Sequence, residues 1–178
     1  MDIAQLVADY HQAVYRYAYR LTGSVEDAED LTQQAFLVAS GKIGQLREEG
    51  SAKAWLFAIL RNDFIKQCRK NSPIPAVDLE LNVDHVPEVV DEQEIDQQRL
   101  QQALNELPPD YRAVVLMFYF ENLRYREMAE ILGVPMGTIM SRLARAKDAL
   151  RGRLLEAEKG EKTREPNGPH FPARSQVS

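Results

Sequence analysis

The feature that most constrains this chain is a pair of helix-forming stretches separated by a glycine and a proline, within residues 125–153 (YREMAEILGVPMGTIMSRLARAKDALRGR). Ala129 is small enough to let two helices approach closely, and Gly133 can take the left-handed conformation that ends a helix. Pro135 cannot continue that helix and favours a new start. Ile139 falls where the second helix needs a buried apolar residue. The stretch is therefore predicted to be a helix-turn-helix.

The second helix of this motif has two contrasting faces. Its apolar stripe consists of Ile139, Leu143, Ala146 and Leu150. Roughly opposite this stripe, the helix is predicted to carry Ser141, Arg142 and Arg145, flanked by Met140, Ala144, Lys147 and Arg151. Small, polar and basic side chains suit contacts with base edges and phosphates, so this helix is predicted to bind DNA in the major groove. An ordinary αα-hairpin packed into a bundle is the alternative that periodicity alone leaves open.

The charge distribution agrees with DNA binding once it is located along the chain. The net charge is −5, but residues 71–110 hold ten acidic residues and one basic residue, whereas residues 111–155 hold eight basic and four acidic residues. Because charges are screened beyond ~8 Å at physiological salt, DNA responds to the local sign. The acidic excess lies away from the helix-turn-helix.

The rest of the chain also follows helical spacing, so the fold is predicted to be all-α, with two small helical domains joined by a flexible acidic linker. Gly23 is predicted to end the first helix, Ser24 to begin a second that runs to about Ser40, Ser51 to begin a third, and Asp110 to cap the helix after Pro108-Pro109. The predicted boundaries are a first domain at 1–72, a linker at 73–97, a second domain at 98–155 and a disordered tail at 156–178.

Two helices of the first domain carry side chains that packing in a helical bundle does not require. The second helix combines acidic side chains with Leu31, Leu37 and Val38, which is typical of a protein-binding surface, although burial of both faces in a small bundle is the alternative. In the third helix, Trp55, Asn62 and Lys66 share a side that differs from the apolar stripe of Leu56, Phe57, Leu60 and Phe64. An aromatic ring, an amide and cations are groups that single-stranded nucleic acid sites use.

Three blocks in order, DAEDLTQQAFL (27–37), AWLFAILRNDFIKQCRK (54–70) and residues 103–150, resemble the bacterial RNA polymerase sigma factors of the extracytoplasmic-function (ECF) group, in the sigma-70 family. The resemblance covers about residues 5–155 and implies that the first domain is sigma region 2 and the second is region 4. It implies a subunit that binds core polymerase through β′ and β and directs transcription initiation. Its DNA partners would be a duplex −35 element and a melted −10 element.

The resemblance also assigns residues to these contacts. The surface that docks on core polymerase would contain Asp27, Asp30, Leu31, Gln33, Gln34 and Phe36. The −10 element would meet Leu46, Trp55, Asn62 and Lys66, and the −35 element would meet Thr138, Met140, Ser141, Arg142, Arg145 and Lys147. Three positions depart from the family pattern: Gln34 replaces a common acid, Met140 a frequent cation and Lys66 a common aspartate. Members of the group are often held by an anti-sigma factor, so such a partner is expected.

Catalysis is not expected, because His11, His85 and His170 are scattered and Cys68 is the single cysteine. No cofactor, metal site or membrane insertion is predicted, and no secretory signal is visible, which favours the cytoplasm. A stand-alone helix-turn-helix regulator with an N-terminal protein- or ligand-binding domain is the alternative function, and a sigma-like chain retained for interaction is a second.

Overall fold

A computed structural model of the protein describes residues 2–46, 48–71 and 97–162, with side chains described up to residue 155 apart from Glu49 and Asn71. These residues form helices and no strand, as the sequence predicted. The helices are α1 (Ile3–Thr22), α2 (Val25–Lys42), α3 (Ala52–Asn71), α4 (Gln97–Asn105), α5 (Pro109–Tyr119), α6 (Tyr125–Leu132) and α7 (Met136–Lys162), with 3₁₀ turns at Ile43–Gln45 and Glu49–Ser51. The predicted linker lies outside the described residues except for Gln97.

Local capping explains why α1 ends and α2 begins with only two residues between them. Asp2 caps α1 by accepting a hydrogen bond from the Gln5 N–H at 2.8 Å. Gly23 ends α1 in the left-handed conformation (φ 74°), and its N–H donates to the Tyr19 carbonyl at 2.9 Å. The Ser24 hydroxyl then accepts from the Asp27 N–H at 3.3 Å and starts α2. Both predictions about this junction are confirmed.

The first domain buries one face of each of its three helices. α1 contributes Leu6, Val14 and Leu21 to the core, and α2 contributes a row of small residues that allows close approach. The predicted stripe of α3 is confirmed, since Leu56, Phe57, Leu60 and Phe64 are all buried. This packing leaves the opposite sides of α2 and α3 free to form surfaces.

The second domain packs α4, α5 and α6 against the long helix α7. Two boundaries differ from the sequence prediction. Pro108, in place of Asp110, is the residue preceding α5. Pro109 occupies the first helical position, where the missing N–H of proline leaves no bond of the helix unmade, and Asp110 lies in the first turn. α7 continues to Lys162, so the predicted tail boundary at residue 156 is wrong, because LEAEKGEK is rich in strong helix formers.

The two domains pack against each other, chiefly α1 against α4 and α5. Arg112 of α5 donates to the Leu21 carbonyl at the end of α1 at 2.6 Å, and also to the carbonyls of Asn105 and Leu107 at 2.9 and 3.2 Å. Arg69 of α3 donates to the Leu132 carbonyl at the end of α6 at 2.7 Å. Each domain thus donates arginine hydrogen bonds to a backbone carbonyl at a helix end of the other domain.

A buried polar cluster lies at the centre of this interface. Glu121, just after α5, forms an ion pair with Arg61 of α3, and the two side chains are only 6% and 4% exposed. The Tyr17 hydroxyl of α1 donates to the second Glu121 oxygen at 2.5 Å. Burial, reinforced by the neighbouring Glu121 carboxylate, raises the pKa of Tyr17 well above its usual value. Tyr17 also stacks on Phe57, with ring centroids 4.5 Å apart.

Candidate nucleic-acid interface

The α6–α7 segment has the predicted helix-turn-helix geometry. Gly133 ends α6 in the left-handed conformation (φ 67°), with its N–H donating to the Ala129 carbonyl at 2.9 Å. Pro135 precedes α7, and its carbonyl accepts from the Thr138 N–H at 3.0 Å. The predicted apolar stripe of α7 is buried throughout, at Ile139, Leu143, Ala146 and Leu150.

The side of α7 turned away from this stripe carries polar groups. Arg145 is exposed, while Ser141 and Thr138 are partly exposed one and two turns nearer the helix start. The Ser141 hydroxyl donates to the Thr138 carbonyl at 3.1 Å, which leaves its oxygen able to accept a bond from a base. Met136 is 51% exposed at the first position of α7 and lies one turn before Met140. Thr138, Met140, Ser141 and Arg145 therefore share the outer part of one helix.

Two of the predicted DNA-contacting residues are held by contacts within the protein. Arg142 forms an ion pair with Asp110 of α5 at 3.1 Å, and its side chain is only 16% exposed. The Lys147 ammonium lies 4.8 Å from the Phe118 ring centroid and 5.4 Å from that of Tyr119. A rotation of 100° per residue places both residues beside the apolar stripe. The prediction that Arg142 lies opposite the stripe is wrong, because three residues rotate it only about 60° from Ile139.

The second candidate surface lies on α3. Asn62 and Lys66 are exposed and Trp55 is partly exposed, at helical spacings that place all three on one face. Leu46 is partly buried where the Ile43–Gln45 turn ends, and it packs against the core. The domain interface centres on another side of α3, around Phe57 and Arg61, although Arg69 at the end of the Asn62 face reaches the Leu132 carbonyl of the second domain.

A third surface is the groove between α2 and α3. Its volume is about 710 Å³, and it is lined by Asp27, Asp30, Leu31, Gln33, Gln34, Leu37, Asp63 and Gln67. Five of the six residues assigned to polymerase docking thus lie together. Leu31 is buried and supports the groove from below, whereas Leu37 is 67% exposed at its edge. The sixth, Phe36, lies elsewhere in the core, stacked on His11 at 6.1 Å.

Sequence reasoning included Leu37 in the protein-binding surface of α2, but it missed Asp63 and Gln67 of α3 as parts of the same groove, and it missed the Arg61–Glu121 pair. The signal for Arg61 was available: it follows Phe57 by four residues, and so occupies a position on the apolar side of α3. A charged residue at such a position indicates a buried ionic partner. Nothing local to Glu121 identifies that partner.

Comparisons with known proteins agree with this architecture. Residues 6–74 match the family described as Sigma-70 region 2, and residues 97–150 match Sigma-70 region 4. SigW of Bacillus subtilis, an ECF RNA polymerase sigma factor, is 30% identical over 86% of this chain and 89% of its own length. The chain is an ECF sigma factor of the sigma-70 family.

Other relatives of this sigma factor are similar at comparable identity. SigE of Mycolicibacterium smegmatis, also an ECF RNA polymerase sigma factor, is 38% identical over 85% of this chain, which spans 61% of the length of SigE. The solved structure of the sigma factor RpoE in complex with the anti-sigma factor NepR, from Bartonella quintana, is also similar. RpoE is 31% identical in sequence to this chain, and the two superpose with a TM-score of 0.60. The match covers 87% of this chain and 97% of RpoE.

Residues 2–46, 48–71 and 97–162 contain neither a metal-binding cluster nor a membrane-spanning helix. In that part of this sigma factor, no three His, Cys, Asp or Glu residues are grouped in a way that could hold a metal ion. No helix there has both the length and the apolar content needed to cross a bilayer.

Proposed function

We propose that this sigma factor gives core RNA polymerase its promoter specificity by reading the −35 element with α7 and the −10 element with α3. The observation that supports this most strongly is the order of regions 2 and 4 along the chain, each with its own exposed polar face. A stand-alone regulator would not need a region 2 match over residues 6–74. The family is one of initiation factors, and we propose that the chain has no catalytic activity and works in the cytoplasm, where polymerase and promoter DNA are found.

At the −35 element, Arg145 and Ser141 are proposed to contact bases, because they lie on the outer part of α7 near its start. Arginine pairs well with guanine, and a good bidentate pair contributes about 1–3 kcal/mol of discrimination. Met140 and Thr138 would complete the contact, Met140 through thymine methyl groups. Arg142 and Lys147 would position α7, since Asp110 and the α5 aromatic rings already hold them.

At the −10 element, Trp55, Asn62 and Lys66 are proposed to hold the non-template strand after melting. Bases stack on aromatic rings for about 1–3 kcal/mol each, and cations neutralise phosphates. Leu46, where the Ile43–Gln45 turn ends, would support an unstacked base. The face requires no rearrangement of the first domain, because Asn62 and Lys66 are already exposed.

Polymerase docking is assigned to the α2–α3 groove. Its lining contains the carboxylates of Asp27, Asp30 and Asp63, and no cation is among its described lining residues. A partner helix with arginine or lysine side chains would complement these charges, and the exposed Leu37 would add apolar contact. We propose that this partner is the β′ subunit, with β contacting the second domain. An anti-sigma factor is proposed as a further partner, in line with the RpoE–NepR relative.

Transcription in vitro tests the proposal. Purified chain, bacterial core polymerase and a pool of genomic promoters are combined, and the 5′ ends of the transcripts are sequenced. Discrete start sites with shared upstream boxes are expected, and Arg145→Ala or Asn62→Ala should abolish most of them. Arg16→Ala and Gln12→Ala, exposed positions on α1, serve as matched controls and should keep full yield. Chain-independent transcripts together with absent core binding would refute the proposal.

A further inference from the structure

The start of α7 carries an apolar side chain that the core does not use. Met136 is the first residue of the helix and is 51% exposed, and Met140 follows one turn later and is partly exposed. Side chains four residues apart on a helix are neighbours, so the two thioethers form one apolar row. Within the described residues, neither methionine is among the partly buried side chains that pack against the core, whereas Val134, two residues before the helix, is. The row is therefore available to a partner outside this chain.

Gly137, the second residue of α7, is not explained by the fold. Its backbone is helical, since the described glycines with a positive φ are Gly23 and Gly133. A Cβ added to Gly137 would meet nothing within 4 Å, so close packing inside the protein does not require it either. Glycine weakens a helix relative to alanine, and it is used where a backbone must approach a ligand closely. The residue therefore indicates that a ligand approaches the first turn of α7 more closely than a methyl group would allow.

Thymine is the base whose exposed edge fits this segment. In the major groove it presents a C5 methyl group, and apolar side chains read that group by contact. The N-terminal residues of a recognition helix are those that meet base edges. Methionine is unbranched and polarisable, so it adapts to such contacts. Four residues of helix advance about 6 Å, close to two base-pair steps, so Met136 and Met140 can reach the methyl groups of two thymines.

We propose that Met136, Gly137 and Met140 form an apolar reading site for thymine methyl groups in the −35 element. The two methionines contact the methyl groups, and Gly137 lets the helix start come close enough for that contact. This inference rests on the proposed function for the identity of the DNA element, and it adds Met136 and Gly137 to the residues that determine promoter sequence. Arg145 and Ser141 discriminate bases by hydrogen bonds, whereas this site discriminates them by a group that forms none.

Deoxyuridine substitution tests the site, because deoxyuridine lacks only the methyl group of thymidine. Holoenzyme is reconstituted from bacterial core polymerase and the full chain, and its affinity is measured for fluorescent promoter duplexes in which each −35 thymine is replaced in turn. We expect one or two positions at which the replacement weakens binding about fourfold, the change that ~0.8 kcal/mol produces. Equal affinity for every substituted duplex would overturn the proposal.

Substitution of the methionines shows whether they are the groups that sense the methyl. Met136→Ala combined with Met140→Ala should weaken binding to the all-thymine duplex and make the affinity indifferent to deoxyuridine. Val25→Ala removes an apolar side chain that is 55% exposed at the start of α2, and it should leave both the affinity and the deoxyuridine sensitivity unchanged. A double methionine variant that keeps full sensitivity to deoxyuridine, or that fails to bind core polymerase, would contradict the assignment of the row to DNA.

Gly137→Ala separates DNA contact from folding, because the two should change in opposite directions. Alanine favours the helix, so Tm should stay the same or rise, while promoter affinity should fall about tenfold. Gly152→Ala on the same helix, where an added Cβ also meets nothing within 4 Å, is the matched control and should keep full affinity. A lower Tm or an unchanged affinity for Gly137→Ala would count against the close approach.

Arg145→Ala separates failure of this inference from failure of the proposed function. This variant should bind the promoter more weakly and still respond to deoxyuridine, because its methionine row is intact. Weaker binding by Arg145→Ala, together with no response of the unaltered holoenzyme to deoxyuridine, would overturn the methyl-reading site alone. Absence of promoter binding by the unaltered holoenzyme would overturn the proposed function.

Discussion

Replacing Arg112 by methionine tests whether arginine contacts to helix ends stabilise the packed protein. The guanidinium of Arg112 is buried and donates to three backbone carbonyls, of Leu21, Asn105 and Leu107. Methionine fills a similar volume and offers no donor. A buried acceptor left without a donor costs about 1–3 kcal/mol.

The net effect of this substitution is smaller than three such losses. Burial lowers the pKa of Arg112, which means that its charge is partly desolvated, and methionine removes that cost. The bond to the Asn105 carbonyl is only partly buried, so water can replace the donor there. We therefore expect Arg112→Met to lower the free energy of unfolding by about 2–4 kcal/mol, or Tm by roughly 4–16 °C for a chain of this size.

Urea denaturation followed by circular dichroism measures this change, with thermal melting as a second readout. Arg112→Lys keeps the charge but cannot reach all three carbonyls, so its loss should be intermediate. Arg16→Met, at an exposed site of α1, should change stability by less than about 0.5 kcal/mol. A loss below about 1 kcal/mol for Arg112→Met would show that the three hydrogen bonds do not stabilise the fold as argued.

Three further changes have defined outcomes. Gly23→Ala should lower Tm, because φ is 74° and the new Cβ would meet the Asn105 amide. Adding Asn105→Ala should remove the steric clash. The remaining loss, from the backbone conformation alone, should be about 1 kcal/mol in the free energy of unfolding measured by urea titration. Tyr17→Phe should lose about 1–2 kcal/mol below pH 10. Since the raised pKa favours the neutral phenol, the unaltered protein should lose stability above pH 10 more steeply than Tyr17→Phe, in parallel melts. Arg142→Ala should lower Tm, whereas Arg145→Ala should leave Tm unchanged and weaken −35 duplex binding in fluorescence anisotropy; the reverse pattern would contradict the assignment.

Local rules were sufficient for the helix boundaries that depend on few residues. Gly23, Ser24 and Gly133 each act through backbone preferences or a hydrogen bond spanning three or four residues, and the predicted junctions are confirmed. The apolar stripes of α3 and α7 were predictable for a similar reason, since helical periodicity fixes which side chains share a face.

Residues whose environment depends on another domain were beyond that reasoning. The partner of Arg61 lies 60 residues away, and no periodicity connects α3 to the turn after α5. The position of Arg142 could have been predicted from its angle to Ile139, but its pairing with Asp110 depends on how α5 crosses α7. The five docking residues of the groove were predicted as a set on α2. The residues of α3 that complete the groove could not be predicted, because they depend on how α2 and α3 pack.

The arginine contacts to helix ends also have a consequence for exchange of parts between relatives. Arg69 and Arg112 bind main-chain carbonyls of Leu132 and Leu21, which every amino acid supplies. These two contacts therefore tolerate substitution of the residues whose carbonyls accept the hydrogen bonds, provided that the helices end at the same positions. A chimera that joins the first domain of this chain to the second domain of a relative should keep both arginine contacts if the relative has an arginine at position 112. The charges at positions 61 and 121 would then decide whether the two domains pack together.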